Sequence, residues 1–380
     1  MERDHILRDY LSDKRIVLTL DAGGTNCVFG VFQGKNELME PFILPSYPHN
    51  LEDFLNTLVE GFRKVIKQLP QNPVAISFGF PGPADYEKGI ICAPPNLPAF
   101  REGIALKHYL EEKLSLPVFI NNDGNLFALG EWTGGFLPEI NRMLKKTGSE
   151  KQYRNLIGIT LGTGFGCGIV IDGTLITGDN GGGGEIWLLR NKLRNEYCVE
   201  ASVGREGLMR LYADHIELPL SECPEPFDIY AIACGTKSGN MEAAKHSFTV
   251  FGEVAGDAIA NVLTLIDGLV VIGGGLSGAA SLFLPSLMKE LNNTIRHTAG
   301  NPVPRLELIA FNLSDLTECT KFIAGTKKKV KIPGTDRVVA YDALPRTGVG
   351  ITHLGTGKAV SLGATVFALS KLDGRICSAT

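Results

Sequence analysis

Two stretches of this 380-residue chain repeat one pattern: an apolar run, a glycine turn and a second apolar run. The first reads Ile16-Val-Leu-Thr-Leu-Asp21-Ala-Gly23-Gly24-Thr25-Asn26 and continues to Phe32. The second, about 140 residues later, reads Leu156-Ile-Gly-Ile-Thr-Leu161-Gly162-Thr163-Gly164-Phe165-Gly166-Cys167-Gly168 and continues to Ile171. Each glycine turn leads into a β-branched, apolar run without helical period, so each unit is expected to be a β-hairpin. That argues against a dinucleotide-binding βα turn, which needs a helix directly after its glycines. At Gly23 and Gly24 the backbone can turn tightly where a Cβ would intrude, bringing main-chain N–H groups to a phosphate. Asp21 could hold a metal beside it.

The intervening sequence supports a duplication. A helical pattern over 51–69 and strands at 74–78 and 117–120 flank a second helix at about 104–114, and a third helix starts near Leu126. The first third therefore reads β-β-α-β-α-β-α. The second part opens with its own hairpin and passes the cluster Gly181–Gly184. It continues through helices to about 266, a strand ending at Gly273-Gly274-Gly275, a helix at about 281–291, a strand near 306–310 and a last helix at 360–372. The expected class is α/β, two similar lobes with a central cleft and a glycine turn on each side; this order resembles the duplicated actin-like ATPase (ribonuclease H-like) fold, a fold-level analogy. The boundaries expected are 1–122 plus 360–380 for a small lobe and 123–359 for a large one, with an insertion at about 321–358.

Bulk properties narrow the function. A net charge of −4 offers no electrostatic reason for a nucleic-acid or membrane partner. No apolar stretch reaches the roughly 18 residues of a membrane span. The charged start, MERDHILRDYLSDKR, lacks a signal-peptide core, and the eight cysteines form no CxxC pair. Buried, reduced thiols in a cytoplasmic protein are expected.

Five ordered stretches carry a more specific likeness. They are Asp21-Ala-Gly-Gly-Thr25, Gly79-Phe-Pro-Gly-Pro-Ala-Asp85, Asn121-Asn-Asp-Gly-Asn125 followed by Gly130-Glu131, Gly162-Thr-Gly-Phe-Gly-Cys-Gly168, and Val271-Ile-Gly-Gly-Gly275. Gly184-Glu185-Ile186 and Cys198-Val-Glu200 add two weaker ones. Over about residues 16–315 and the last helix, the chain resembles the ROK family of bacterial sugar kinases and sugar-responsive repressors. Any one motif is weak; the ordered set is what carries the likeness.

The resemblance implies an ATP-dependent kinase acting on a hydroxyl of a hexose or N-acetylhexosamine, glucokinase-like or N-acetylhexosamine kinase-like. On the residues alone Asp123 reads equally as a general base and as a helix N-cap; the resemblance makes it the base. It also makes Asn122 a sugar contact, whereas Asn125 reads as readily as a turn or cap residue. Glu185 and Glu200 would accept hydrogen bonds from further hydroxyls, the alternative for Glu185 being an exposed loop acid. Gly23, Gly24 and Thr25 from one lobe and Gly162, Thr163 and Gly164 from the other would hold the phosphates. Asp21 would orient Mg²⁺ through water. Gly273, Gly274 and Gly275 would pack against adenosine, or simply make a strand-to-helix turn. ATP and Mg²⁺ are the implied cofactors, a small-molecule sugar and a second copy of the chain the implied partners.

Two features depart from that pattern. Many ROK proteins hold a structural zinc through one His and three Cys. Here those positions align with Leu188, Asn191, Leu193 and Cys198, so no zinc is expected. Trp187 could stack on a sugar or pack in the core. The 321–358 segment is long and weakly periodic, and could cover the cleft, join subunits or be a surface excursion. Within it Lys327-Lys-Lys329 reads as a solvated loop, and Gly355-Thr-Gly-Lys358 fails as a P-loop because Ala359 follows the lysine. The competing readings are a sugar-binding protein whose activity has decayed and a repressor. About 15 residues precede Ile16, too few for the helix-turn-helix a repressor of this family carries there.

Overall fold

The structure, a computed structural model, describes residues 10–92, 94 and 98–374. The start of the N-terminal segment (1–9) and Cys377 lie outside them. The chain divides into two compact units, one of 1–138, 168–184 and 353–380, the other of 139–167 and 185–352.

The first unit is built on β1 (Ile16–Ala22), β2 (Asn26–Gln33), β3 (Asn36–Glu37), β4 (Phe42–Pro45), β5 (Ala75–Gly79) and β9 (Val118–Asn121). Between the last two lie β6 (Ala84–Asp85), β7 (Ile90–Ile91) and β8 (Ile104–Ala105), which form a small sheet of their own. The main sheet runs β3-β2-β1-β5-β9, with β4 also on β2. β1 and β2 form the antiparallel hairpin expected from the glycine turn, with Asp21 opposite Val28. β1, β5 and β9 are parallel. Ile16–Leu20 and all of β5 are buried, which is why both read as unbroken apolar runs rather than alternating ones. Helices α1 (Leu51–Ile66) and α2 (Leu106–Leu114) pack on the face of Ile16, Leu18 and Leu20. There Phe29 meets Phe62 edge-on at 5.0 Å and Phe54 meets Phe100 at 5.3 Å. Burial of each such ring contributes roughly 1.5–3 kcal/mol.

Helix α3 (Asp123–Thr133) lies against the last helix, α10 (Thr356–Leu372), at backbone distance. A Cβ on Gly130 would sit 1.9 Å from the Ala359 carbonyl oxygen, and one on Gly363 1.9 Å from that of Leu126. Gly130-Glu131 is thus explained by packing: buried Glu131 accepts the Phe136 N–H at 2.7 Å and caps α4 (Phe136–Lys146). This helix pair keeps α3 in the first unit, so the division falls near 138 and not at 122. The last helix also begins at Thr356, four residues before the expected start, taking in the P-loop lookalike.

The second unit repeats the plan. β10 (Leu156–Leu161) turns through 162–164 into β11 (Phe165–Ile171), which pairs antiparallel with β12 (Thr174–Leu175); from Gly168 on, these residues are counted with the first unit. Strands β13 (Leu269–Gly273), β16 (Ile309–Asn312) and β19 (Arg346–Ile351) join β10 in the parallel order β10-β13-β19-β16. β19 lies inside the segment expected to be an insertion. Its sequence, Arg346-Thr-Gly-Val-Gly-Ile351, is buried but has two glycines where apolar side chains would have signalled a strand; at Gly348 the Leu313 side chain fills the space of a Cβ. The rest of that segment is the end of α9 (Leu316–Ala324) and an exposed hairpin, β17 (Lys327–Lys331) with β18 (Val338–Asp342). Lys327–Lys329 therefore belong to a strand, not a loop. Another hairpin is formed by β14 (Thr294–Arg296) and β15 (Pro302–Pro304).

Helices α5 (Arg205–His215), α6 (Pro226–Ala233), α7 (Met241–Ile266) and α8 (Ala280–Leu291) complete the unit. Contrary to the sequence reading, α7 is long and apolar enough to cross a membrane by length and composition. Its buried face packs on α5, α6 and α8, the role of a core helix. Among the described cysteines, Cys27, Cys167 and Cys223 are buried as expected, but Cys92 and Cys234 are exposed; none is in a disulfide.

Candidate functional site

In each unit the candidate residues gather at the carboxyl ends of the parallel strands, where ligands of open α/β sheets bind. In the first unit Asp21 ends β1, Gly79 ends β5, and Asn122 and Asp123 follow β9. In the second, 162–164 follow β10 and 273–275 follow β13.

Asp123 is the most informative. It is the first residue of α3, but it is not the cap: Asn122 Oδ1 accepts the Gly124 N–H at 2.8 Å. The capping alternative falls to the neighbour, and the Asp123 carboxylate takes no hydrogen bond among the described residues. Its space is made by Gly79, where a Cβ would lie 1.8 Å from Asp123 Oδ1. The side chain keeps a solvent-exposed face. Protein nevertheless surrounds it closely enough that desolvation, with repulsion from Asp21, pushes its carboxyl up to about 7. Water at the open face moderates that rise without reversing it. Desolvation also raises the Asp21 carboxyl.

Around this carboxylate the backbone is well fixed. Asn121 Oδ1 accepts from the Asn122 N–H at 2.8 Å and from Asn125 Nδ2 at 3.0 Å. Asn125 is buried inside the first turn of α3, where Asn122 and not Asn125 is the cap. The Asn122 amide reaches Tyr86 Oη at 3.4 Å, and that hydroxyl donates to the Phe80 carbonyl at 2.9 Å. Tyr86 was not singled out in the sequence; its signal is an aromatic hydroxyl directly after the Gly79–Asp85 run.

The two glycine turns differ from expectation in one respect. A Cβ on Gly24 or Gly162 would meet no protein atom within 4 Å, so neither glycine is required by the chain's own packing. Their missing side chains leave room on the open side of the turn instead. Gly23 N–H is spent on the Asn26 carbonyl at 2.9 Å and Gly162 N–H on that of Gly164 at 3.1 Å. The N–H groups of Gly24, Thr25, Thr163 and Gly164 meet no acceptor among the described residues, a donor set suited to an anion. Gly274, at φ 90°, brings its backbone against Leu161, where a Cβ would lie 2.1 Å from the carbonyl oxygen. The 162–164 and 273–275 turns are therefore neighbours.

Glu185 is exposed and accepts a hydrogen bond from Trp187 Nε1. Trp187 is thus engaged with that carboxylate, and neither a core residue nor an unattached ring. Glu200 is half-buried, and its Oε2 accepts the Phe165 N–H at 2.7 Å.

The model of the ROK family matches residues 17–315. The chain belongs to the ROK family. It is 26% identical over 322 residues to a glucokinase of Streptomyces coelicolor, covering 79% of this chain and 94% of that one. It is 30% identical over 308 residues to an N-acetyl-D-glucosamine kinase of Aliivibrio salmonicida, covering 75% and 92%. The solved structure of a glucokinase from Parabacteroides distasonis is similar over 95% of this chain and 99% of that one, at TM-score 0.83 and 49% identity. These relatives are ROK sugar kinases, and the chain has their mixed α/β, actin-like ATPase fold.

The family's zinc finds a poor donor set here. Leu188 and Leu193 offer no ligand and are largely exposed, leaving the Cys198 thiol and the Asn191 amide. Among the described residues no group of three or more His, Cys, Asp or Glu is placed to hold a metal. Asn191 is instead the centre of the loop. Fully buried, it accepts the N–H groups of Leu193 and Arg194 at 3.0 and 3.1 Å. It donates to Ser202 Oγ at 2.9 Å and to the Cys198 carbonyl at 3.4 Å. A tetrahedral zinc does not fit these groups.

Proposed function

We propose that this protein is an ATP-dependent sugar kinase that transfers the γ-phosphoryl group to a hydroxyl of a hexose or N-acetylhexosamine, with Asp123 as the general base. The observation that carries this is an aspartate at the carboxyl edge of a parallel sheet, without a hydrogen-bond partner among the described residues, open on one face and raised in pKa toward neutrality. A sugar hydroxyl is a poor nucleophile at pH 7, and a carboxylate in reach takes its proton as the bond to phosphorus forms. The proton lost from the hydroxyl goes to Asp123, and the β–γ bridging oxygen leaves with ADP. A base poised near 7 is partly ionised at working pH yet basic enough to accept the proton.

Asn122 spends its oxygen as a cap, so its amide N–H is what it offers the sugar. Glu185, oriented by Trp187, and Glu200 accept from further hydroxyls. The open N–H groups of Gly24, Thr25, Thr163 and Gly164 receive phosphate oxygens, with Gly23 and Gly162 shaping the turns, and Gly273–Gly275 border the adenosine. Asp21, exposed at the end of β1, suits a water-bridged Mg²⁺, which neutralises phosphate charge when bound. No zinc takes part. The expected assembly is a cytoplasmic homodimer.

The experiment is a coupled ADP-release screen over hexoses, N-acetylhexosamines and their epimers with Mg-ATP. Turnover on one sugar class is expected. Sugar binding by calorimetry with no ADP release on any sugar would replace the kinase reading with that of a decayed sugar-binding protein.

A further inference from the structure

Glu200 does more than face a ligand. Its Oε2 accepts the Phe165 N–H at 2.7 Å and lies against Gly164, where a Cβ would sit 2.4 Å from that oxygen. Five residues on, the Arg205 N–H is shared between the carbonyls of Gly162 (2.9 Å) and Thr163 (3.2 Å). Between these contacts Gly204, at φ 105°, lays its backbone on the turn; a Cβ there would stand 3.2 Å from the Thr163 oxygen. The peptide 200–205 thus grips the second glycine turn at both ends. It is itself anchored, through Ser202 to Asn191 and through the Val199 N–H to the Leu189 carbonyl at 2.8 Å.

We propose that Glu200 is a positioning residue for the phosphate turn at 162–165, so that one carboxylate ties the sugar loop to the nucleotide half of the reaction. This rests on the kinase reading above. Its Oε2 is committed to the turn, which leaves Oε1 for a sugar hydroxyl. A carboxylate that takes up the Phe165 N–H fixes that peptide, and with it the direction of the neighbouring Thr163 and Gly164 N–H groups, which have no acceptor among the described residues. A hydrogen bond to a charged acceptor is among the stronger ones, and it acts whether or not sugar is present.

A purely sugar-binding glutamate and a turn-positioning one differ in nucleotide affinity without sugar. Calorimetry of the full chain with Mg²⁺ and AMPPNP, no sugar added, reads this directly. Glu200→Ala should weaken binding by about tenfold. Glu200→Gln, whose amide oxygen still accepts the Phe165 N–H, should bind within about twofold of wild type while its sugar KM rises. Glu185→Gln, remote from the turn in hydrogen bonding, should leave nucleotide affinity unchanged. Hydrogen exchange of the peptide spanning 160–168 gives a second, ligand-free readout: faster in Glu200→Ala, near wild type in Glu200→Gln. Wild-type nucleotide affinity and wild-type exchange in Glu200→Ala would overturn the proposal and leave the kinase reading standing. A wild-type chain that binds no nucleotide would count against the kinase reading, and exchange would then decide the clamp alone.

Discussion

Gly79→Ala moves the proposed base without changing its charge. The new Cβ would be built 1.8 Å from Asp123 Oδ1, 2.9 Å from Cγ and 3.3 Å from Cα. Side-chain contacts with a Cβ do not fall below about 3.0 Å, so the carboxylate oxygen must withdraw by about 1.2 Å. It can do so because the group has no hydrogen-bond partner among the described residues and is open to solvent, which means the fold should absorb the change by rotating one side chain. A displacement of this size at a reacting group costs about 10²-fold in rate, equivalent to about 2.7 kcal/mol of barrier. Steady-state ADP release should show that loss in kcat, with the ATP KM little altered and the melting temperature close to wild type. A Gly79→Ala enzyme that folds and turns over at the wild-type rate would refute the placement of the base against Gly79.

Other consequences concern stability and pH. The native Asp123 carboxyl holds its proton up to about 7, whereas the unfolded one releases it near 3.8. Between those values the unfolded state binds fewer protons, so this group lowers stability as pH rises. Asp123→Asn should therefore melt higher than wild type, by a margin that grows from about pH 4 to pH 7 and then levels off; a margin independent of pH would contradict the raised pKa. Gly130→Ala or Gly363→Ala should destabilise by 1–3 kcal/mol or more, typical of an overpacked contact, because each Cβ would meet a carbonyl oxygen of the opposing helix at 1.9 Å. Denaturant melts unchanged from wild type would rule out that close approach. Asn191→Ala removes the acceptor of the part-buried Leu193 and Arg194 N–H groups and should destabilise by about 1 kcal/mol, and a zinc chelator followed by restored Mg²⁺ should leave melting and activity unchanged. Loss of either on chelation would point to a metal that Asn191 does not replace.

Much of this was legible in the sequence. The hairpins around Gly23-Gly24 and Gly162–Gly164 showed themselves through apolar runs broken only by glycine, and the duplication followed from their spacing. β19 escaped notice because its buried face is partly backbone: Gly348 yields its space to Leu313, so no apolar period records the strand. The boundary at 138 escaped for a related reason, since the contact holding α3 on α10 is glycine against carbonyl, which hydrophobic patterns do not register. At the candidate site the residue types were readable but not their employment. Asn122 and Asp123 are adjacent, both good caps, and only the structure shows which side chain turns to the Gly124 N–H. Likewise Glu200 and Phe165 are 35 positions apart, beyond any local rule.

The most direct test is the rate of ADP release by Asp123→Asn under saturating sugar and Mg-ATP, with fold checked by melting. The asparagine keeps the shape and removes the base. The expected result is a kcat lower by about 10²- to 10⁴-fold in a protein that still binds nucleotide, and a wild-type acid limb in kcat/KM with its midpoint near 7. An Asp123→Asn protein that retains wild-type kcat would contradict it.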